Sequence, residues 1–394
     1  MYTYRDNGGI LFMSKEDILS LVVYLIMMAI ALTVGFVILQ PIISGGKLGD
    51  NGSVFCFLIL SVIIGLIVNA LIVEIGHIIG AIIGKYEILS INILSFAFFK
   101  KKEEGKIVNS FKFPKNYDGL TGETVISPKS EKSKPMSYVF GPLVLFLIEL
   151  LGCICAFMYI KDSNGESILN FVKYGIFLST CIGGMIIVYD YFPSRLDNLN
   201  DGYRLVLLNK KINIEAFNEL LRIQKCDYFQ EEAGEIKRFE NITDFTAQVN
   251  MFSSRKYMND EPEESLKIIN KILENEKNVS KATLLSIKIN KAYIYFLNAS
   301  LDEAVKIYNT LFNDEERKTI NSCYNLECTI IYLLYEGLVE HSSSEVEYAK
   351  ERFFKLTKRS TAKEHYFEQQ LFDKALDFIK TNGNLKEVNN EKSE

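Results

Sequence analysis

The sequence predicts a mainly α fold: a polytopic α-helical membrane domain over residues 1–210, with a small β-hairpin in its largest loop, followed by a soluble α-helical repeat domain over residues 211–394. Three observations predict it. Apolar residues in the first half are gathered into long uncharged runs rather than amphipathic stripes. A lysine-rich segment separates the second run from the third. From about Lys211 charged and apolar residues mix at helical spacing, almost without proline or glycine.

A bilayer core about 30 Å thick is crossed by roughly 20 apolar helical residues. Four segments reach that length: 18–39, 54–84, 136–160 and 168–188. The N-terminal MYTYRDNGGILFMSKED mixes charges and lacks a short apolar stretch ending in a small-residue cleavage site, so it does not read as a removable signal peptide. The seven cysteines are scattered and odd in number, which speaks against a disulfide framework or zinc-ribbon spacing. A net charge of -5 without a basic stripe sets nucleic acid aside as a partner.

Orientation follows from lysine and arginine, which accumulate in cytoplasmic loops. The loop 86–135 carries Lys100, Lys101, Lys102, Lys106, Lys112, Lys115, Lys129, Lys132 and Lys134, whereas the connections 45–53 and 161–167 carry one lysine each. The expected placement is a multi-pass protein of the cell membrane with both termini and this loop in the cytosol. Within the loop, EILSINILSFAFFK and KKEEGKIVNSFKF read as two β-rich runs about a turn closed by Gly105. The first run is expected either to present an edge that pairs with an extended peptide or to serve as an amphipathic connector. Residues 117–135, rich in Gly, Thr, Ser and Lys, read as loop.

In the second half, helix pairs are expected at 243–259 with 263–274, 282–298 with 301–312, and 319–336 with 345–357. They recur at roughly 40 residues, within the range of helical solenoids. The segment Ala292 to Tyr308, AYIYFLNASLDEAVKIY, resembles a tetratricopeptide unit, with a small-residue turn followed by Glu303, Ala304 and Tyr308. The consensus tryptophan is missing because the chain has none. The resemblance implies a stacked, curved scaffold for a protein or peptide partner; the plainer reading is a helical domain that packs against the membrane half.

Ionisable residues inside a span are costly and are default candidates for function. Glu74 and His77 lie three residues apart on one face of the second span, and Glu149 lies midway along the third. The plain reading is that Glu74 and Glu149 are protonated acids bonded between helices and that His77 is a buried neutral imidazole.

The string EIGHIIGA around Glu74 and His77 resembles the second part of the H-E-x-G-H-x-x-x-A motif of site-2 proteases, the intramembrane zinc metallopeptidases. Residues 54–205 follow that family's order: a motif span, a membrane-associated β-hairpin, a span opening with Gly141-Pro142, and a span followed by Asp201-Gly202. The resemblance implies Glu74 as general base, His77 and Asp201 as ligands, and zinc as the cofactor. Asp197 stands as the alternative to Asp201, which is preferred for the Gly202 that follows it. The sequence departs from the family where Val73 replaces the first histidine of the i, i+4 pair, and where Leu145 replaces the usual asparagine. His341 and His365, the remaining histidines, belong to the helical half. Two protein ligands fall short of the usual three of a catalytic zinc.

The resulting expectation is a site-2-protease-like membrane protein, catalytically impaired. It would bind a transmembrane or peptide partner in the bilayer and a protein partner on its helical half. The alternatives are an active zinc-dependent intramembrane protease, and a non-proteolytic membrane adapter or transport accessory protein. For a transporter, the sequence offers no visible inverted repeat.

Overall fold

In a computed structural model of the chain the structure describes residues 15–93, 96–113, 123–162, 167–193, 200–359 and 365–383. They are mainly helical, with one small antiparallel sheet. The chain divides into two compact units, Met1–Val73 with Leu143–Leu207, and Glu74–Pro142 with Leu208–Glu394.

In the first unit, α1 (Lys15–Thr33) runs through a π-helical turn, Val34–Leu39, into α2 (Gln40–Ser44). The helical run therefore passes the Leu39 limit expected from sequence. Pro41 stands in the first turn of α2, where its missing N–H leaves the ladder one donor short, and the wider π turn takes up the mismatch. The long helix α3 (Asn51–Ile83) begins in this unit, α4 (Pro135–Tyr159) ends in it, and α5 (Ile168–Tyr191) lies wholly within it. Among the described residues four helices are thus long and apolar enough to cross a membrane: Leu21–Ser44, Asn51–Ile83, Pro135–Tyr159 and Ile168–Tyr191. Large apolar side chains stay uncovered along them, Phe55, Ile64, Ile148 and Leu151 among them.

The connections of this unit are tied by charge. Asp162 accepts hydrogen bonds from Lys173 (2.9 Å) and Tyr174 (3.1 Å) and pairs with Lys47. Lys47 first, and Lys173 next, hold the Asp162 carboxyl down to about 2. Asn170 adds a bond to the Lys47 carbonyl at 2.9 Å.

The second unit opens with the sheet: β1 (Tyr86–Ile93), β2 (Phe96–Glu103), β3 (Lys106–Lys112) and β4 (Glu123–Pro128), in the order β3-β2-β1-β4. The β2–β3 turn is the expected one, with Glu104 at φ 49 and Gly105 at φ 78. The single hairpin expected from sequence is corrected to four strands. The first run folds on itself as β1 and β2. Residues 123–128, expected as loop, carry the β-branched Thr124, Val125 and Ile126 and pair along the other side of β1. The first run is consequently no edge; the open edges belong to β3 and β4.

The sheet is fastened to α7 (Lys211–Tyr228) by polar contacts. Tyr86 Oη donates to Asn218 at 2.6 Å, Tyr228 Oη to the Lys100 carbonyl at 2.7 Å, and Glu87 bridges Lys100 (2.9 Å) and Lys225 (2.8 Å).

Beyond α7, antiparallel neighbours follow: α8 (Asp244–Arg255) with α9 (Pro262–Leu273), then α10 (Lys281–Asn298) with α11 (Leu301–Leu311). Side-chain caps start them: Thr243 closes a capping box, and Ser280 and Ser300 each accept a first-turn N–H. The long helix expected at 319–336 is two, α12 (Asp314–Asn321) and α13 (Leu326–Tyr335), because Cys323 adopts φ 47 and Asn325 caps a new start. α14 (Ser343–Arg359) pairs with α13, and α15 (Tyr366–Asn382) closes the series, its Phe372 stacked on Phe353 at 3.9 Å. One apolar core runs from Ile242 to Ile379. Arg255, buried within it, is neutralised by Glu327 and Glu368.

Candidate functional site

Glu74 and His77 occupy the last part of α3, within the second unit, where α3 meets the start of α4 at very short range. Gly76 and Gly80, with Gly84 just past the helix end, repeat every fourth residue and leave one face of the last part of α3 bare backbone. A Cβ on Gly76 would lie 2.5 Å from Pro142, one on Gly80 would meet the Ser137 carbonyl and lie 2.9 Å from the Tyr138 Cα, and one on Gly84 would lie 2.7 Å from the Lys134 carbonyl oxygen. The Gly141-Pro142 pair sits against Gly76 for the same reason: the backbones touch.

That approach brings Tyr138 onto His77. The two rings lie 4.6 Å apart at 32°, and His77 Nδ1 is 3.3 Å from the Tyr138 carbonyl oxygen. In that contact Nδ1 carries the proton and donates, since a carbonyl only accepts. Tyr138 Oη in turn donates to the Thr124 carbonyl at 3.3 Å, and Thr124 Oγ1 donates to Glu74 Oε2 at 2.7 Å. Glu74, His77, Tyr138 and Thr124 are all buried. They form one polar chain from α3 through α4 to β4, with the acid and the imidazole at its two ends.

Thr124 and Tyr138 are the members sequence reasoning missed. Thr124 lay in a segment with loop composition, and Tyr138 at the margin of a span. The glycine repeat was a readable sign that α3 would be approached closely.

Asp201 belongs to the first unit. Asn200 caps α6 (Asp201–Leu208) by accepting from the Tyr203 N–H at 3.0 Å, and Gly202 is required because a Cβ there would collide with the Tyr191 backbone. Asp201 is buried and pairs with Arg204 at 3.1 Å; burial pushes its carboxyl up, against the pull of Arg204. Asp197 lies outside the described residues. Glu149, also in the first unit, accepts from Ser179 Oγ at 2.9 Å, and Ser179 in turn takes bonds from Asn69. The second Glu149 oxygen is buried without a partner among the described residues.

The fit to zinc is tested by the donors. Val73, half-buried, offers none; His77 is the one imidazole on α3. Among the described residues no three His, Cys, Asp or Glu side chains are grouped to hold a metal ion. These residues do not make up a three-ligand catalytic site, and no step through zinc follows from the arrangement. Comparison with known proteins returns no match: no family profile, curated protein or solved structure aligns with the chain.

Proposed function

We propose that this is a multi-pass membrane protein whose core resembles a site-2 protease that has lost its zinc chemistry, and that it binds a transmembrane or peptide partner without cutting it. The observation that carries the reading is the polar chain at Glu74 and His77. The general base of the motif is bonded to Thr124, the histidine faces the Tyr138 carbonyl, and the neighbouring ligand position is Val73. Losing a ligand outright costs more than the tenfold to hundredfold typical of changes one shell further out. What is left is a packed, hydrogen-bonded acid and imidazole beside an open strand edge.

Membrane residence is supported by the four long apolar helices and by the apolar side chains left uncovered on them, which water would not tolerate over so large an area. The lysine-rich loop supports an orientation with that side, and both termini, in the cytosol of a cell-membrane protein. The helical half supplies surface for a protein partner.

The test compares partners crosslinked and purified with the wild type and with Glu74→Gln from the same membranes. A protein that binds without cutting recovers the same intact partners with both. An intact partner that accumulates only on Glu74→Gln, with its fragments found beside the wild type, would show that the wild type is a protease.

A further inference from the structure

α8, α10 and α13 stand side by side in one row, each backed by its own partner, α9, α11 and α14. α15 lies across the other side of that row, within the same compact unit. Phe367 meets Phe252 of α8 with ring centroids 6.1 Å apart, Glu368 pairs with Arg255 of α8 at 3.3 Å, and Tyr293 of α10 donates to the Leu371 carbonyl at 3.0 Å. Farther along, α15 rests on α13, and a Cβ on Gly337, just beyond α13, would stand 2.8 Å from Ile379.

These are the contacts of a receptor with a helical ligand. Asp227 of α7 accepts the Phe367 N–H at 2.8 Å, and so caps from outside a first turn whose own N-cap, His365, makes no side-chain cap bond. Phe372 and Ala375 are fully buried and Ile379 nearly so, while Gln370, Asp373 and Asp377 on the opposite side are exposed. α15 is thus held by one face. Arg255 shows that the row is complete in charge without it. Its guanidinium also pairs with Glu327 of α13 and donates to Asn290 of α10 at 2.9 Å, so the departure of Glu368 would leave the buried cation paired. The apolar side differs. Phe353 stacks on Phe372 at 3.9 Å, and uncovering it would set a large apolar surface against water. Such a seat is exchanged, one helix for another, rather than emptied.

We propose that this side of α8, α10 and α13 is a helix-binding groove which α15 fills in cis, and that its ligand in trans is an amphipathic helix of the same pattern. The pattern is set by Glu368, Phe372, Ala375 and Ile379, at i, i+4, i+7 and i+11. It asks for an acid facing Arg255, a ring facing Phe353, a small residue where burial is complete, and a branched aliphatic one against Gly337. The inference rests on the reading that the helical half holds a protein partner, and names the class of partner. α15 is then a built-in competitor: a ligand meets the groove only in the fraction of time that α15 is away, and its apparent affinity falls by that fraction.

Full-length protein in detergent is titrated into a fluorescein-labelled peptide of residues 365–383, with binding followed by anisotropy. Phe367→Ala and Glu368→Gln weaken α15 in the chain and leave the groove as it is. The peptide should bind Phe367→Ala about tenfold more tightly than wild type and Glu368→Gln more tightly by a smaller factor, and Phe372→Ala in the peptide should remove the binding. Glu368→Gln is nearly isosteric and keeps the test in force should Phe367→Ala fail to fold, which circular dichroism reports. No saturable binding to a folded variant, or equal binding of the peptide with and without Phe372→Ala, overturns the groove and returns α15 to a fixed part of the core. The partner reading then still has the remaining surface of the helical half. If the peptide binds as predicted while crosslinking in native membranes recovers no protein on the helical half, the groove stands and the partner reading falls.

Discussion

Adding one methyl group at Gly80 should loosen the junction that holds His77. The new Cβ of Gly80→Ala would meet the Ser137 carbonyl and stand 2.9 Å from both the Cα and the carbonyl oxygen of Tyr138, all of them backbone atoms with no rotamer to escape into. Restoring ordinary contact distances moves α4 about 1 Å off α3, an overpacking cost of about 1–3 kcal/mol. The shift also carries the Tyr138 carbonyl away from His77 Nδ1 and its hydroxyl away from Thr124, contacts already at 3.3 Å. That adds about 1 kcal/mol. The sum, about 2–4 kcal/mol, lowers the apparent melting temperature in detergent by about 2–5 °C for a chain of 394 residues. Circular dichroism against temperature reads it, with Gly152→Ala as control, because a Cβ at Gly152 meets nothing within 4 Å. If Gly80→Ala melts with the wild type and with Gly152→Ala, the close α3–α4 contact is wrong, and so is the reason given for the position of Tyr138.

Three further outcomes follow from particular contacts. Burial opposes ionisation of Glu87, but the bonds from Lys225 and Lys100 outweigh it and hold the carboxyl below its ordinary value of 4.5. Its stabilising share is therefore full above that value and fades as pH falls through the lower folded one. Glu87→Gln should cost about 1 kcal/mol near neutrality and leave less to lose on acidification, read as a melting-temperature difference from wild type that shrinks as pH falls from neutrality to below the ordinary carboxylate value. Phe372→Ala opens a cavity beside Phe353 and should cost about 3–5 kcal/mol, seen as a lower urea midpoint. Asp162→Asn removes the anion shared by Lys47 and Lys173; limited proteolysis should then cut more readily near Lys47, and an unchanged digestion rate would show that the ion cluster does not tie the loops.

The long helices were legible because their signal is composition alone: uninterrupted apolar runs fix existence and approximate ends without help from tertiary structure. The end of the first was misplaced because a proline inside a helical first turn looks the same in sequence as one that stops a helix. β4 was not legible. Its Thr-Val-Ile core is three residues long, and only pairing with β1 makes it a strand. Glu74 and His77 stood out because charge is scarce in α3. Their partners did not, since a threonine and a tyrosine become noticeable only when α4 and the sheet bring them within bonding distance.

Metal content of the purified full-length protein tests the central claim most directly. In the proposed reading Val73 stands where a zinc-binding core would need a histidine, so elemental analysis of the wild type should find well below one zinc per chain after gel filtration. Under the proposed resemblance, Val73→His sets two imidazoles four residues apart on one face of α3 and should raise bound zinc clearly above wild type. One zinc per wild-type chain, lost on His77→Ala, would contradict the account and return the protein to the active proteases.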